Sequence, residues 1–371
     1  SISLDIILFS ILLILIPIVL ITGPALPDIF LSLIAFYFLF ISVYKKKWFY
    51  YRNPIVYGFL CFSLYGILRS LFSEMPLESL TNEGSLFYFR YIFFAMGVWY
   101  LLDNNPYLPK CLMFISITCI LVVSVDGLYQ YIKGYNFLGY DKHSEHRLTG
   151  LFGDEPIVGR YIAYLTIITF ALIYQNFKKT KKMMLFSVAF LVMCEVVVFL
   201  TGERTPLFYL GLFTTLIIIY IPQYRFYRIL GLFTSIIILT LILQINPNAK
   251  SRMVDATFEE VRQTNLPFLP YSPVHEQHYI AAFKMFIDKP IFGVGTNTFR
   301  FECKKPKYRY KDKSCNSHPH HFYIQILAEL GITGFLLLLT FFLYIVLIGI
   351  KQLFFIIVSN RSKQISFNIF L

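Results

Sequence analysis

The feature that most constrains this chain is a series of continuous apolar runs, each close to the length of a membrane-spanning helix. About 20 consecutive apolar residues cross a bilayer as a helix. Ten such runs lie near residues 4–22, 26–44, 54–72, 84–102, 111–133, 156–175, 183–201, 206–221, 228–245 and 320–349. They are continuous rather than alternating, which argues against a membrane β-barrel. The sequence therefore predicts an all-α polytopic membrane protein.

The composition agrees with this prediction, because 57% of the residues are hydrophobic and only 15% are charged. Soluble domains carry about 25% charged residues. The first run lacks a small-residue cleavage site, so it is interpreted as a span rather than a signal peptide. The chain begins with Ser1 rather than Met, and a further run begins at Leu353. We therefore expect truncated transmembrane helices at the C-terminus.

Positive charge alternates between the connections and predicts the orientation, because cytoplasmic loops are rich in Lys and Arg. The cations that follow even-numbered runs are Lys45, Lys46, Lys47, Arg52, Lys110, Lys178, Lys179, Lys181, Lys182, Arg225 and Arg228. This pattern places the N-terminus in the cytoplasm and the segment between the ninth and tenth runs on the opposite side. The prediction divides the chain into three regions: nine transmembrane helices in 1–245, an outward loop domain in 246–319, and C-terminal transmembrane helices in 320–371.

Two cysteines in the outward segment predict a disulfide. Cys303 and Cys315 bracket the basic stretch CKKPKYRYKDKSC, and an oxidising compartment would let them pair. A zinc site completed by His318 and His320 is the alternative. The basic stretch could bind an anionic partner or lie solvated near lipid headgroups. The net charge of the chain is +12. Nucleic acid is not expected as a partner, because much of this charge comes from the Lys and Arg residues concentrated in the loops of one side.

Three helices that start on the outward side are predicted to open with polar residues and to carry proline in the first turn. Their starts are Asp154-Glu155-Pro156, Arg204-Thr205-Pro206 and Ser317-His318-Pro319-His320. Helix N-termini are anion sites, and arginine binds two phosphate oxygens at once. Arg147, Arg160 and Arg204 lie beside these starts. If the three starts meet, they form an outward anion pocket; alternatively, each arginine reaches a lipid headgroup.

The histidines before the tenth run indicate acid–base chemistry, because neutral imidazole accepts a proton from a hydroxyl. We expect His320 in the first helical turn, where the helix dipole keeps it neutral, and His318 beside it to orient it or contact substrate. His275 opens an amphipathic helix of about residues 275–287. Gly331 and Gly334 lie one turn apart, which would allow close helix packing.

Between about residues 126 and 335 the sequence resembles the O-antigen ligase and O-antigen polymerase superfamily. The segments that carry the resemblance are DGLYQYIKGYNFLG, RLTGLFGDEPIVGRYIA, TGERTPL, DKPIFGVGTNTF and HPHHFYIQILAELGITG. The family's mark is a histidine, usually followed by Asn, Ser or Gln, then nine residues and Gly-x-x-Gly. His320, Gly331 and Gly334 match this mark, whereas His321 departs from the usual polar residue.

The resemblance implies about twelve transmembrane helices in a bacterial inner membrane, with a large periplasmic loop and an active site facing the periplasm. It implies a glycosyltransferase that requires no metal. We further expect a transfer that inverts the anomeric centre and uses no cofactor. The donor would be a glycan on a polyprenyl pyrophosphate such as undecaprenyl pyrophosphate, and the acceptor lipid A-core. Arg147 and Arg204 match arginine positions that hold the pyrophosphate, His320 matches the base, and His275 stands where many relatives have arginine.

Two other functions compete with a ligase. An O-antigen polymerase would use the same parts but a lipid-linked glycan as acceptor. A transporter of lipid-linked oligosaccharides would require broken helices and charges at mid-membrane. The charges inside the runs are Arg90, Asp126 and Glu195. Charges inside a membrane are candidates for function, and the alternative that we favour is a structural role as ion pairs.

Overall fold

The computed structural model describes residues 2–81, 84–176, 180–262 and 273–359. Lys178 and Lys179, and the end of the predicted C-terminal region, lie outside these residues. The helices are α1 Leu4–Val19, α2 Ala25–Tyr44, α3 Pro54–Leu71, α4 Pro76–Thr81, α5 Phe89–Asn104, α6 Leu108–Lys133, α7 Val158–Asn176, α8 Lys181–Leu200, α9 Arg204–Tyr220, α10 Arg225–Ile245, α11 Pro247–Lys250, α12 Ala256–Arg262, α13 Pro273–Asp288, α14 Phe299–Glu302 and α15 Phe322–Ser359.

The helices confirm the predicted all-α membrane fold. In the described part of the chain, nine helical stretches are long and apolar enough to cross a membrane, and α9 is a shorter apolar helix. These ten correspond to the ten predicted runs. The prediction of a separate run from Leu353 is wrong within the described residues, because α15 continues through that position to Ser359.

The chain divides into two compact units. Unit 1 contains the described residues of Ser1–Ile34, Val98–Ala256 and Ile356–Leu371, and unit 2 those of Ala35–Gly97 and Thr257–Phe355. Each unit contains residues from all three predicted regions, 1–245, 246–319 and 320–371. The compact units therefore do not coincide with the regions predicted from membrane topology.

Unit 1 is held together by apolar packing and by buried carboxylates such as that of Glu195. Its core includes Val123 of α6, Ile162 of α7 and Val198 of α8, all fully or nearly fully buried. Glu195 of α8 accepts hydrogen bonds from Thr214 of α9 at 2.5 Å and from Ser235 of α10. Because a buried carboxylate is costly without partners, these bonds fix how the three helices pack. The interpretation of Glu195 as structural therefore fits its contacts.

Unit 2 is built around a break in α15. Gly331 has φ of 67° and ψ of −169°, which interrupts the helix. The backbone of residues 290–295 fills the gap: Val294 N donates to Ala328 O at 2.9 Å, and Ile332 N donates to Pro290 O at 2.8 Å. Gly331 is therefore a docking point for the backbone of a loop rather than for a second helix.

Glu329 secures the same loop from the buried side of α15. Its carboxylate accepts hydrogen bonds from the backbone N–H groups of Asn297 at 2.9 Å and Phe299 at 3.1 Å. On the other side of the loop, Arg69 of α3 donates to the carbonyl oxygens of Phe292 and Gly293. The polar groups freed by the helix break are thus satisfied by protein, as buried backbone groups must be.

Replacing Gly331 with Ala is expected to lower the free energy of unfolding by about 3 kcal/mol or more. A left-handed backbone costs a non-glycine residue roughly 1–3 kcal/mol, and overpacking costs typically 1–3 kcal/mol. A Cβ atom here would overlap the carbonyl of Ile291, whereas one at Gly211 of α9 meets open space. Gly211→Ala is the matched control. Thermal unfolding in detergent measures both, and equal midpoints for the two variants would contradict this account of the break.

Candidate functional site

Four histidines of unit 2 form a cluster, here called the histidine cluster: His275, His278, His318 and His320. His275 and His278 lie three residues apart on α13, which places them on one face of the helix. His320 lies among the other three, with ring centroids 5.0 Å from His275, 5.4 Å from His278 and 4.2 Å from His318. The structure thus brings together the three predicted histidines and adds His278, which the sequence analysis did not single out.

The backbone presents His320 outside the helix. α15 begins at Phe322, and His320 has a left-handed conformation with φ of 59°. The expectation that His320 lies in the first helical turn is therefore wrong. The proline pattern holds only at α9, where Pro206 is in the first turn, because α7 begins at Val158, after Pro156. Left-handed non-glycine residues are strained and are enriched at functional sites.

The surroundings of His320 keep its ring neutral. Partial burial, followed by the charges that His318, His275 and His278 would carry, lowers the pKa of His320 to about 4. The residue nevertheless remains exposed to solvent. A neutral, accessible imidazole has a lone pair available at neutral pH, which is what a general base requires. The expected neutrality therefore comes from desolvation and neighbouring imidazoles rather than from a helix dipole.

Arg300 is a second residue that the sequence analysis did not single out. Burial and the positive charge of Arg300 lower the pKa of His318. Arg300 donates from Nη2 to Oδ1 of Asn297 at 3.0 Å, and Asn297 N in turn donates to Glu329. Arg300 lies in α14, directly after the loop that docks on the α15 break. It therefore places a positive charge near His318 of the histidine cluster.

The cysteines confirm the disulfide prediction. Cys303 and Cys315 are bonded, with Cα atoms 5.2 Å apart, so their sulfurs do not form the alternative zinc site. The closed segment contacts α13 through Lys313 N, which donates to Oε1 of Gln277 at 3.2 Å. Within the described residues, no group of three or more His, Cys, Asp or Glu side chains is arranged to hold a metal ion.

The predicted arginines lie in unit 1, where two chain segments come together. Leu148 N donates to Thr201 O at 3.4 Å, and Gly202 has φ of 74° directly before α9. This turn brings the residues around Arg147 beside Arg204, the first residue of α9. A side chain at Gly202 would overlap the carbonyl of His146, so this approach requires glycine.

Glu203 organises the arginines of this region. It is 4% exposed, and its Oε1 accepts a hydrogen bond from Gly159 N of α7 at 2.6 Å. Burial raises the pKa of Glu203, while the Gly159 N–H and the charges of Arg160 and Arg147 lower it. Glu203 therefore ties the start of α7 to the start of α9, within the electrostatic influence of Arg147 and Arg160.

Arg252 is a fourth arginine of this region and was also missed. It lies in a π-helical turn, Ser251–Asp255, a feature that is frequent at functional sites. Arg252 Nε donates to Gly202 O at 3.2 Å, and Arg204 Nη2 donates to Arg252 O at 3.1 Å. We call Arg147, Arg160, Arg204 and Arg252 the arginine cluster. Its concentration of positive charge suits a phosphate or pyrophosphate group.

The fold and these residues define a polytopic membrane protein with a neutral, accessible histidine in one unit and a set of arginines in the other. Residues 188–339 match the model of a family described as O-antigen ligase. This part of the chain is therefore similar to the O-antigen ligase family, in agreement with the resemblance found in the sequence. It includes the histidine cluster, Arg204, Arg252, Gly331 and Gly334, and Arg147 and Arg160 precede it. No curated protein and no solved structure matches the chain.

Proposed function

We propose that the protein is an O-antigen ligase-like glycosyltransferase. It moves a glycan from a polyprenyl-pyrophosphate donor to a sugar hydroxyl of lipid A-core, at the periplasmic face of a bacterial inner membrane. The observation that carries the proposal is His320, a neutral and exposed imidazole within the family match. Such a group suits proton removal from a hydroxyl nucleophile.

The proposed reaction assigns one role to each cluster. His320 accepts the proton of the acceptor hydroxyl while the hydroxyl oxygen bonds to the anomeric carbon of the donor. The bond between that carbon and the pyrophosphate oxygen breaks, and polyprenyl pyrophosphate leaves with the electron pair. Attack opposite the leaving group inverts the anomeric centre. The arginine cluster binds the pyrophosphate and stabilises its growing charge, as preorganised cations do in transfer reactions.

The other histidines support this chemistry in different ways. His318 and His275 lie within 5.0 Å of His320, measured between ring centroids, and we assign them to substrate contact. His275 would supply an imidazole where many relatives have arginine. We assign the disulfide and the Gly331 junction to holding the segments that carry the cluster.

A polymerase is the first alternative, since it would use the same groups with a lipid-linked glycan as acceptor. A transporter is the second, and the break in α15 is the observation that favours it, because transporters bind substrate at broken helices. However, the carbonyls of Ala328 and Glu329 and the N–H groups of Ile332 and Thr333 are taken up by residues 290–295. These groups are therefore not left open for a ligand, which favours the enzyme.

Product analysis separates the three functions. Purified protein is incubated with a polyprenyl-pyrophosphate-linked oligosaccharide, with and without lipid A-core, and the products are identified by mass spectrometry. We expect glycosylated lipid A-core and free polyprenyl pyrophosphate. Longer lipid-linked chains in the absence of lipid A-core would indicate a polymerase. An unchanged donor that crosses a vesicle membrane would indicate a transporter.

A further inference from the structure

Asn316 contacts the His320 ring directly, four residues along the chain. Its Nδ2 lies 2.9 Å from Nε2 of His320. The other end of the amide is engaged locally, because Oδ1 accepts a hydrogen bond from Ser317 N at 2.7 Å. An asparagine amide has one acceptor oxygen and one NH2 donor group. The contact with the Ser317 N–H therefore turns the donor toward His320.

This arrangement determines which ring nitrogen of His320 carries the proton. An NH2 group can only donate, and a ring nitrogen accepts only when it has no hydrogen. Nε2 therefore holds the lone pair, and Nδ1 holds the single proton of the neutral ring. In a histidine the hydrogen bond at one nitrogen fixes the role of the other, so Asn316 selects one tautomer.

The neighbouring groups oppose a second proton on this ring. Among the described residues, those that face His320 are His275 and His278 from α13 and His318 from its own segment, and Arg300 faces His318. Each of these groups is neutral or positively charged, which disfavours imidazolium. The asparagine side chain is uncharged, so it orients His320 without attracting a proton. A carboxylate at the same place would have the opposite effect.

The backbone holds Asn316 and His320 in this relation. Asn316 directly follows Cys315, which the disulfide fixes to Cys303, and α15 begins two residues after His320. Between these fixed ends the left-handed conformation of His320 turns the ring back toward Asn316. Ser317 Oγ lies 2.9 Å from Nδ1 of His318, so the same segment also orients the neighbouring imidazole.

We propose that Asn316 is a positioning residue that holds His320 in the Nδ1–H tautomer and marks Nε2 as the atom that receives the acceptor proton. This inference rests on the proposed function. The acceptor hydroxyl replaces the amide at Nε2, its oxygen bonds to the anomeric carbon, and its proton moves to Nε2. The electron pair of the broken glycosyl bond leaves with polyprenyl pyrophosphate.

Paired variants test the role of Asn316 in transfer. Asn316→Asp places an acceptor at Nε2, so the single proton of the neutral ring moves to Nε2 and the lone pair to Nδ1. We therefore expect kcat at pH 7 to fall on the order of 100-fold, since general-base catalysis contributes about 10²–10⁴-fold. The acid limb of its pH profile should move up by about 1 unit or more, as for ion pairs generally. Asn316→Ala should lose roughly tenfold through poorer orientation, with the acid limb unmoved. Asn176→Asp, an exposed asparagine at the end of α7, is the control.

A spectroscopic readout tests the tautomer without any transfer reaction. The chain has seven histidines, so 15N-histidine labelling and subtraction of the His320→Gln spectrum assign His320. We expect a protonated Nδ1 and an unprotonated Nε2 in the wild type, and a protonated Nε2 in Asn316→Asp. A protonated Nε2 in the wild type would overturn the inference. It would also be overturned if the acid limb of the pH profile lay at the same pH in Asn316→Asp as in Asn316→Ala.

The two proposals fail separately. If His320→Ala keeps near-normal transfer, the proposed base is wrong, while the tautomer still reports on Asn316. If His320 is required but Asn316→Asp behaves as the wild type, the role of Asn316 is wrong and the proposed function stands. Unfolding midpoints within the range of the Asn176→Asp control exclude misfolding as the cause of a loss.

Discussion

Replacing His320 with Ala is expected to lower the rate of glycan transfer by about 10²–10⁴-fold, the range that a general base supplies. The variant removes the proton acceptor but none of the arginines, so donor binding should remain close to the wild type. The assay uses purified protein, a polyprenyl-pyrophosphate-linked oligosaccharide and lipid A-core, and follows product by mass spectrometry. Transfer at a near-normal rate would show that another group takes the proton.

The matched control for this variant is His143→Ala. His143 is an exposed histidine of unit 1, outside the histidine cluster, so its loss should leave transfer unchanged. The control removes an imidazole of the same size and chemistry from outside the proposed site. A difference between the two variants therefore reports on the position of His320.

The pH dependence of the wild type provides an independent check on His320. A base acts in its deprotonated form, and the pKa of His320 is lowered from 6.5 to about 4. Transfer should therefore hold as the pH falls from 7 to about 5 and then decline through about 4. Because folding lowers this pKa, His320 also costs stability as the pH falls from about 6.5 to about 4. Rates must therefore be normalised to the folded fraction. An acid limb near pH 6.5 would contradict the lowered pKa.

Replacing Arg204 with Ala is expected to lower kcat/KM for the donor by about 10–100-fold while the KM for the acceptor stays near the wild-type value. A hydrogen bond to a charged group contributes about 1.5–3 kcal/mol, and 1.4 kcal/mol corresponds to a factor of ten. Arg204→Lys should recover only part of the loss, since lysine lacks the planar fork that binds two phosphate oxygens. Steady-state kinetics with each substrate varied in turn separates the two effects.

Arg225→Ala is the matched control for Arg204. Each arginine is the first residue of its helix, α10 for Arg225 and α9 for Arg204. Arg225 is exposed and donates to Ile219 O at 2.9 Å, outside the arginine cluster. If kcat/KM for the donor fell equally in both variants, the loss would come from removing any positive charge at a helix start. A loss confined to the acceptor side would remove Arg204 from the donor site.

The sequence alone predicted the features of this protein that depend on local pattern. Apolar runs of fixed length predicted the helices, and the cysteine pair predicted the disulfide. The histidine before α15 and the helix opened by His275 were also identified, because a motif and an amphipathic period are local signals. His278 had a signal as well: it lies one turn after His275 on the same helix, and α13 was itself predicted.

The features that the sequence did not predict depend on where distant segments meet. Gly331 in an apolar run is typical of close helix packing, and only the docked backbone of residues 290–295 makes it a break. Arg252 lies about 50 residues after Gly202, so its bond to that carbonyl has no local pattern. The left-handed backbone of His320 was missed because Pro319 suggested a helix start. Each of these features required the tertiary structure.

The loop at the α15 break is held by main-chain atoms, and this has a practical consequence for labelling the protein. The side chains of Ile291 and Phe292 are 56% and 58% exposed, although Ile291 O accepts a hydrogen bond from Thr333 N and Phe292 O from Arg69. An environment-sensitive fluorescent amino acid at either position would therefore leave these hydrogen bonds in place. Its emission would report on water and lipid around the loop of residues 290–295, whose backbone is already fixed.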